Sequence, residues 1–273
     1  MNSNSKLLSQ QNKAVLVTGA AKRLGREIAL EFARQGWDVA VHYGESESDA
    51  QATVADILSL GRQAQAFKAD FSSESEIKEL FSAVVQRFEN LQCLVNSASI
   101  FEFDRASSSV PLTSALLQEH MQVNVVAPVL LSQLMFQWQQ NKSSIQKNNE
   151  TLIPAVIQLL DQKLINPNPD YLSYTLSKTA LLGTVELLAM DFAPVLRVVG
   201  LAPGISLPSG KQTQEQFMKS HQTTPLGKSS TPQEIASAAV FLAQANAITG
   251  TTLYVDGGQH LLPLARDVMF KTS

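Results

Sequence analysis

The chain has 273 residues, of which 44% are apolar, so it is long enough to bury one sizeable hydrophobic core. Its formal net charge of -3 and sequence pI near 5.8 give no electrostatic reason to expect nucleic acid or an anionic membrane as a partner. Cys93 is the only cysteine, so the chain forms no internal disulfide, and we expect a reducing, cytoplasmic setting.

Residues 1–12 are rich in Ser, Asn and Gln and are expected to form a flexible tail. They contain no apolar segment of the secretory type, and no uncharged apolar stretch of the chain is long enough to span a bilayer. We therefore expect one domain over residues 13–273 and no membrane partner.

Short β-branched runs alternate along the chain with longer segments of helical period. A first strand is predicted at 14–18 and a helix at 24–35, which Gly36 ends. The later predictions are strands at 38–43, 65–69, 91–96, 151–160, 195–201 and 252–255, and helices at 48–60, 73–88, 113–139, 171–192 and 232–244. Residues 140–150 are polar and are predicted as an exposed loop.

Apolar strands that alternate with helices are typical of a parallel sheet covered on both faces. The sequence therefore predicts an α/β fold, a single Rossmann-type domain whose doubly wound, parallel, seven-stranded sheet is flanked by helices. Ligands of such sheets bind outside the carboxyl ends of the strands. The motifs described next fall in loops at those ends or in the helix that follows.

The first of these loops has the sequence TGAAKRLG, from Thr18 to Gly25. Glycine permits positive φ and close backbone approach, and a helix N-terminus presents free N–H groups to a phosphate. A glycine pair that only shapes a turn and a helix end would give the same pattern, but its place after a buried strand favours dinucleotide binding. The cofactor-binding residues predicted here are Gly19, Lys22, Arg23, Leu24 and Gly25.

The second predicted strand ends at His42-Tyr43, without the acid that commonly binds the 2′-hydroxyl of NAD. Because Lys22, Arg23 and His42 offer positive charge, a 2′-phosphate fits better and NADPH is the predicted cofactor. Glu45 opposes this choice, because a carboxylate repels a phosphate. Further cofactor contacts are predicted at His42, Tyr43, Ser46, Asp70 and Phe71, with Asp70 either bonding an adenine amino group or opening the third helix.

Tyr174 and Lys178 form a Y-x-x-x-K pattern, which places both side chains on one face of a helix. A free phenol has a pKa of ~10, and we expect the nearby ammonium to lower it by stabilising the phenolate. Asp161 ends the fifth strand and is predicted to hydrogen-bond Tyr174; a turn-forming Asp is the alternative. These residues predict proton transfer in the crevice, and no metal site is predicted.

Several features occur together in one known pattern. They are the TGAAKRLG loop, His42-Tyr43, the stretch NSASIF from Asn96 to Phe101, Asp161 where a serine is usual, and PGIS from Pro203 to Ser206. Together they resemble the pteridine reductase branch of the short-chain dehydrogenase/reductase family, which includes bacterial dihydropteridine reductases. The resemblance covers roughly residues 13–265.

The resemblance implies roles for residues around a pterin. Arg23 would reach both a cofactor phosphate and the pterin, and Ser99 would bind cofactor or pterin. Phe101 would stack on a pterin held against the nicotinamide, with ordinary burial in its loop as the alternative. The other cofactor contacts that it implies are Asn96, Ser97, Ala98, Lys178, Pro203, Gly204, Ile205 and Ser206.

The resemblance also implies the proton chemistry. Asp161, Tyr174 and Lys178 would deliver the proton, and Asn124 would hold a water-mediated proton path. Pterin reduction adds hydride to the carbon of a C=N bond and a proton to its nitrogen, which suits a carboxylate-assisted phenol. Residues 206–220 would form a mobile lid over the substrate, and a homotetramer is expected through the helices at 113–139 and 171–192.

We therefore expect an NADPH-dependent oxidoreductase that converts a dihydropterin or dihydrofolate to the tetrahydro form. One alternative is a carbonyl reductase of the same fold acting on 3-oxoacyl thioesters or small ketones, although it would lack the usual serine at Asp161. The other alternative is a non-catalytic, NADP-binding regulatory protein, although Tyr174, Lys178 and Asn124 are all present.

Overall fold

The protein folds around one sheet of seven parallel strands, seen in a computed structural model that describes residues 13–109, 111–145, 152–208 and 212–270. The strands are β1 (Ala14–Val17), β2 (Asp38–Tyr43), β3 (Ala64–Lys68), β4 (Leu91–Asn96), β5 (Ala155–Leu159), β6 (Arg197–Pro203) and β7 (Thr252–Val255). Their order is β3-β2-β1-β4-β5-β6-β7, and every neighbouring pair is parallel. The predicted doubly wound α/β fold is confirmed; the predicted tail at 1–12 lies outside the described residues.

Helices cover both faces of the sheet. They are α1 (Arg23–Arg34), α2 (Glu47–Ser59), α3 (Glu74–Arg87), α4 (Ser114–Met121), a π-helical segment (Gln122–Val126), α5 (Ala127–Ile145), α6 (Leu172–Phe192), α7 (Gln214–Gln222) and α8 (Pro232–Gln244). One buried core joins α1, α2 and α8 to the sheet, and a second joins α3, α5 and α6 to its other face.

The strands supply side chains to both cores. In β1, Val15 and Val17 belong to the core under α1 and α8, whereas Ala14 and Leu16 belong to the core under α3 and α5. Successive side chains of a strand point to opposite faces, so a sheet covered on both sides favours apolar residues at successive positions. This is why the strands were recognisable as continuous apolar runs.

The helix predicted at 113–139 is interrupted, and it extends further than predicted. The π-helical segment lies just before Pro128, which has no N–H group to donate to the helical ladder. Helix α5 continues to Ile145, so the predicted loop is wrong for residues 140–145, and residues 146–150 lie outside the described chain. Gln139 donates to the Leu91 carbonyl at 2.7 Å, which fastens this part of α5 to β4.

The segment predicted as a lid contains a helix that the sequence analysis missed. Thr213 and Gln216 form a reciprocal capping box at the start of α7, a sequence pattern that marks helix N-termini. Strand β5 also begins four residues later than predicted, directly after Pro154. None of the helices in the described part of the chain combines the length and apolar character needed to cross a bilayer.

Candidate active site

A cleft of about 600 Å³ lies at the carboxyl ends of β1, β4, β5 and β6. Because β1 and β4 are adjacent strands at which the strand order reverses, the cleft occupies the position where such sheets bind ligands. The predicted site residues that line it are Gly19, Lys22, Arg23, Leu24, Gly25, Ser97, Ala98, Ser99, Phe101, Asp161, Tyr174, Lys178, Pro203, Gly204, Ile205 and Ser206.

The loop between β1 and α1 needs both of its glycines. Gly19 has φ +65°, and a Cβ there would lie 2.9 Å from the Ala98 Cα. A Cβ on Gly25 would lie 2.3 Å from the Gly19 carbonyl oxygen. Any side chain at either position would displace backbone, so the loop keeps a bare surface beside the N-terminus of α1, where a phosphate can approach the free N–H groups.

Thr18 ties this loop to the segment that follows β4. Its hydroxyl oxygen accepts the N–H groups of Ser97 and Ala98, each at 2.9 Å. The threonine stood in the TGAAKRLG motif, but its role was missed because its partners are about 80 positions away in sequence. It fixes the width of the cleft on its β1–β4 side.

His42 does not have the predicted role of offering positive charge to a phosphate. Its ring is 3% exposed and stacks on Phe71 with centroids 4.3 Å apart. Nδ1 accepts the Gly19 N–H at 3.1 Å, so the proton lies on Nε2, which donates to the Ala69 carbonyl at 3.1 Å. Burial lowers the pKa of His42 to about 4, so the imidazole is neutral and supports the glycine loop from beneath.

The other residues predicted to bind the adenosine half lie outside the walls of this cleft. Tyr43 is buried in a core, and Ser46 lies directly before α2. The Asp70 carboxylate accepts the Ser72 N–H and hydroxyl at 2.8 and 2.7 Å, and these hydrogen bonds lower its pKa. Asp70 thus shapes the turn before α3, and an adenine contact remains a prediction.

The two basic residues of the glycine loop have separate partners. Lys22 Nζ lies 2.9 Å from Asp49 Oδ2 on the surface. Arg23, with φ +52°, donates to the Pro208 carbonyl at 3.0 Å and so links the glycine loop to the segment after β6. Both side chains line the cleft, and both are exposed enough to turn toward an anion.

Tyr174, Asp161 and Lys178 meet at the base of the cleft. The Tyr174 hydroxyl donates to Asp161 Oδ2 at 3.0 Å, and Asp161 Oδ1 accepts the Lys163 N–H at 2.9 Å. Asp161 therefore both bonds the phenol and shapes the turn after β5. Lys178 Nζ donates to the Leu159 carbonyl at 2.7 Å and lies 5.8 Å from the centroid of the Tyr174 ring.

The expectation that Lys178 lowers the pKa of the phenol is wrong for this structure. Burial, and then the charge of Asp161, raise the pKa of Tyr174 well above 10. Burial likewise raises the pKa of Asp161 and lowers the pKa of Lys178 to about 8. Tyr174 is therefore a protonated phenol near neutral pH, the form that a proton donor needs.

Two predicted asparagines lie outside the cleft walls. Asn124, in the π-helical segment, donates to the Ile100 carbonyl and the Ser177 hydroxyl and accepts the Ile100 N–H. Asn96 is buried and donates to Gln158 Oε1 at 3.0 Å. Their side chains thus hold neighbouring elements in place, and the contact of Asn96 with the cofactor and the part of Asn124 in a water-mediated proton path remain predictions.

Aromatic rings form one wall beside the proton donor. Phe101 stacks on Tyr171 with ring centroids 4.1 Å apart, and it lies perpendicular to the Tyr174 ring with centroids 4.7 Å apart. The Phe101 side chain is still 42% exposed, so part of its surface faces the cleft. Ser99 is exposed beside it.

Several residues that build the site were not predicted from the sequence. Buried Asp104 accepts the Ser173 N–H at 3.0 Å and the Ser173 hydroxyl at 2.5 Å, and so anchors the N-terminus of the helix that carries Tyr174. The further residues that line the cleft include Lys163, Gln259, Asp267 and Val268. No motif marked these positions.

Comparison with known proteins extends over almost the whole chain. A sequence profile of the family described as "Enoyl-(Acyl carrier protein) reductase" matches residues 19–260. Glucose 1-dehydrogenase 2 of Bacillus subtilis is 30% identical over 257 residues, which cover 92% of this chain and 96% of that protein. The 3-oxoacyl-[acyl-carrier-protein] reductase FabG of Staphylococcus epidermidis is 29% identical over 259 residues, with coverage of 92% and 100%.

Among solved structures, the chain is similar to FolM alternative dihydrofolate reductase 1 from Brucella canis, crystallised with NADP. The TM-score is 0.83 and the sequence identity 32%, and the match covers 94% of this chain and 97% of that one.

Proposed function

The chain belongs to the short-chain dehydrogenase/reductase family of oxidoreductases, and on that premise we propose that it is an NADPH-dependent reductase of pteridines. Its substrate is a dihydropterin or dihydrofolate, which it reduces to the tetrahydro form. The observation that carries this proposal is the 3.0 Å hydrogen bond from the Tyr174 phenol to the Asp161 carboxylate in the wall of the cleft.

The cofactor proposal is supported by the bare glycine loop and the charges beside it. Gly19 and Gly25 leave room for a pyrophosphate at the N-terminus of α1, and Lys22 and Arg23 add positive charge there. The similar FolM protein was crystallised with NADP, which favours the phosphorylated cofactor for this chain as well. Bound NADPH supplies the hydride.

The protein's own part in the reaction is to deliver a proton. Tyr174 Oη carries that proton near neutral pH, because burial keeps the pKa of the phenol high. Asp161 Oδ2 accepts the phenol hydrogen bond and thereby holds Tyr174 Oη in place in the wall of the cleft. Lys178 Nζ lies 5.8 Å from the centroid of the Tyr174 ring, close to the phenolate that would remain when the proton leaves for the ring nitrogen of the substrate.

The aromatic wall favours a flat substrate. The exposed part of Phe101 lies beside Tyr174, where a planar ring can stack on it. Ser99 and Arg23 line the same cleft and offer hydrogen-bonding groups to the polar edge of a heterocycle. We propose these three residues as the substrate contacts, together with Asp161 and Tyr174.

A carbonyl reductase of the same fold is the second candidate, since the curated relatives include a 3-oxoacyl thioester reductase. Asp161 disfavours it, because a carboxylate repels the negative charge that develops on a carbonyl oxygen during hydride addition. The candidates are separated by measuring NADPH oxidation with 7,8-dihydropterins and with an acetoacetyl thioester. We expect turnover with a dihydropterin; turnover with the thioester alone would reject the pteridine proposal.

We also propose that the chain assembles into a homotetramer through α5 and α6 and works in the cytoplasm. The support for assembly is a set of exposed apolar side chains on α6, which includes Leu176, Leu187 and Met190. Light scattering coupled to size-exclusion chromatography gives the mass directly. A mass near 29.7 kDa at micromolar concentration would show a monomer and contradict the assembly.

A further inference from the structure

A second charged pair lies in the wall of the cleft, beside Asp161. Lys163 Nζ lies 3.5 Å from Asp267 Oδ2, and both residues line the cleft. The side chain of Lys163 is 4% exposed and that of Asp267 is 17% exposed. Charges so far removed from water are costly unless they are paired, so this pair must be fixed by its surroundings.

Lys163 is held from three sides. Its backbone N–H donates to Asp161 Oδ1 at 2.9 Å, and its Nζ donates to the Asp170 carbonyl at 3.0 Å. The ammonium also lies 5.7 Å from the centroid of the Tyr171 ring. These contacts fix a positive charge two residues along the chain from the carboxylate that bonds the proton donor.

The C-terminal segment, residues 266–270, brings Asp267 to this position. The buried Asp170 carboxylate accepts Arg266 Nε at 2.7 Å, the Asp267 N–H at 2.8 Å and Arg105 Nη1 at 3.2 Å. Burial raises the pKa of Asp170, but these hydrogen bonds outweigh it and hold the pKa below its ordinary value. The hydrogen bonds of the Asp170 carboxylate to Arg266 and Asp267 therefore hold the C-terminal segment in place as a wall of the site.

We propose that Lys163 is a positioning residue whose positive charge keeps Asp161 ionised. The negative charge of Asp267 partly offsets that of Lys163, so the C-terminal segment influences whether Asp161 carries a proton. This inference rests on the proposed function only for its choice of Asp161 as the partner of the proton donor. An ionised Asp161 can only accept a hydrogen bond, so Tyr174 keeps its proton and remains the donor of this pair. A protonated Asp161 would compete with Tyr174 as a donor.

The electrostatics agree with the geometry. Burial raises the pKa of Asp161, the charge of Lys163 lowers it, and the charge of Asp267 raises it again. Asp267 also raises the pKa of Tyr174. Among the residues that the structure describes, Lys178 on α6 also feels the charge of Asp161, and Arg23 lines the same cleft.

The test measures the titration of Asp161 directly in the full-length protein. Aspartate is labelled with ¹³C at the carboxyl carbon, and the Asp161 signal is assigned by its loss in Asp161→Asn. We expect Lys163→Met to raise the pKa of Asp161 by about one pH unit, since the charge of Lys163 lowers this pKa and a nearby opposite charge shifts a carboxyl by roughly that much or more. Asp267→Asn should lower the pKa of Asp161, and Lys163→Arg, which keeps the positive charge, should leave that pKa at its wild-type value.

Because the two variants should shift the pKa of Asp161 in opposite directions, the result distinguishes positioning by Lys163 from a general loss of structure. If Lys163→Met fails to fold, the downward shift in Asp267→Asn decides alone. Titrations of Asp161 that do not move, or that move the same way in both variants, overturn the inference. Because this measurement needs no substrate, an inactive wild-type enzyme with a dihydropterin would reject the proposed function, while the predicted NMR shifts would still support the role of Lys163.

Discussion

Acidification from pH 7 to about 4 should destabilise the folded chain through His42. The pKa of this imidazole is about 4 in the folded protein and 6.5 as the ordinary value for an unfolded chain. Protonating Nδ1 removes the acceptor of the Gly19 N–H and places a charge in a buried site. A group whose pKa is lowered by folding contributes stability above its unfolded pKa, and that stability is lost as the pH falls toward the folded value.

The magnitude follows from the two pKa values. At ~1.36 kcal/mol per pH unit, the interval from 6.5 to about 4 corresponds to about 3 kcal/mol. Small folded proteins have total stabilities of roughly 5–15 kcal/mol, so this one residue should account for a sizeable part of the acid sensitivity.

The assay is urea unfolding at a series of pH values from 7.5 to about 4.5, with His42→Asn as the matched variant. An asparagine oxygen can still accept the Gly19 N–H, but the side chain does not titrate. Wild type should lose more free energy of unfolding over this range than the variant, because carboxylates elsewhere contribute equally to both. If the free energy of unfolding fell equally steeply with decreasing pH in both proteins, the assignment of a buried, neutral His42 would be refuted.

Three further predictions concern the cleft. Tyr174→Phe should keep NADPH binding, measured by fluorescence titration, but lose about 10²- to 10⁴-fold in turnover because the proton donor is gone; near-normal turnover would contradict that role. Gly25→Ala should abolish NADPH binding, because its Cβ would lie 2.3 Å from the Gly19 oxygen, whereas Gly183→Ala, where a Cβ meets open space, should bind normally. Since burial lowers the pKa of Lys178 to about 8, kcat/KM for NADPH should fall above pH 8 as the ammonium is lost, and a flat profile to pH 9.5 would argue against a required charge.

Much of this fold was predictable because burial on both faces leaves a simple mark in the sequence. Strand β1 is apolar at every position, β4 contains an apolar run from Cys93 to Val95, and the bounds of β2, β4, β7 and α8 agree with the prediction. The contact between Asp161 and Tyr174 was also predictable. Asp161 follows β5 and Tyr174 lies in the first turn of α6, so both lie at the same edge of the sheet.

The missed features depend on contacts between distant parts of the chain. The sequence shows a histidine at 42, but not that Gly19 and Ala69 occupy both of its nitrogens. It shows the polar residues of 140–145, which helix α5 accommodates because long polar side chains such as Gln and Lys favour helix as readily as loop. It gives no periodic pattern for the C-terminal segment, whose position depends on a buried carboxylate about 100 residues earlier, Asp170.

We propose that the Asp161 carboxylate, in place of a serine, equips Tyr174 to protonate a pterin nitrogen. Steady-state kinetics of Asp161→Ser with NADPH and a 7,8-dihydropterin test it most directly. We predict that kcat/KM for the dihydropterin falls at least about tenfold, equivalent to ~1.4 kcal/mol of transition-state stabilisation, while NADPH still binds. An unchanged kcat/KM in that variant would contradict the claim.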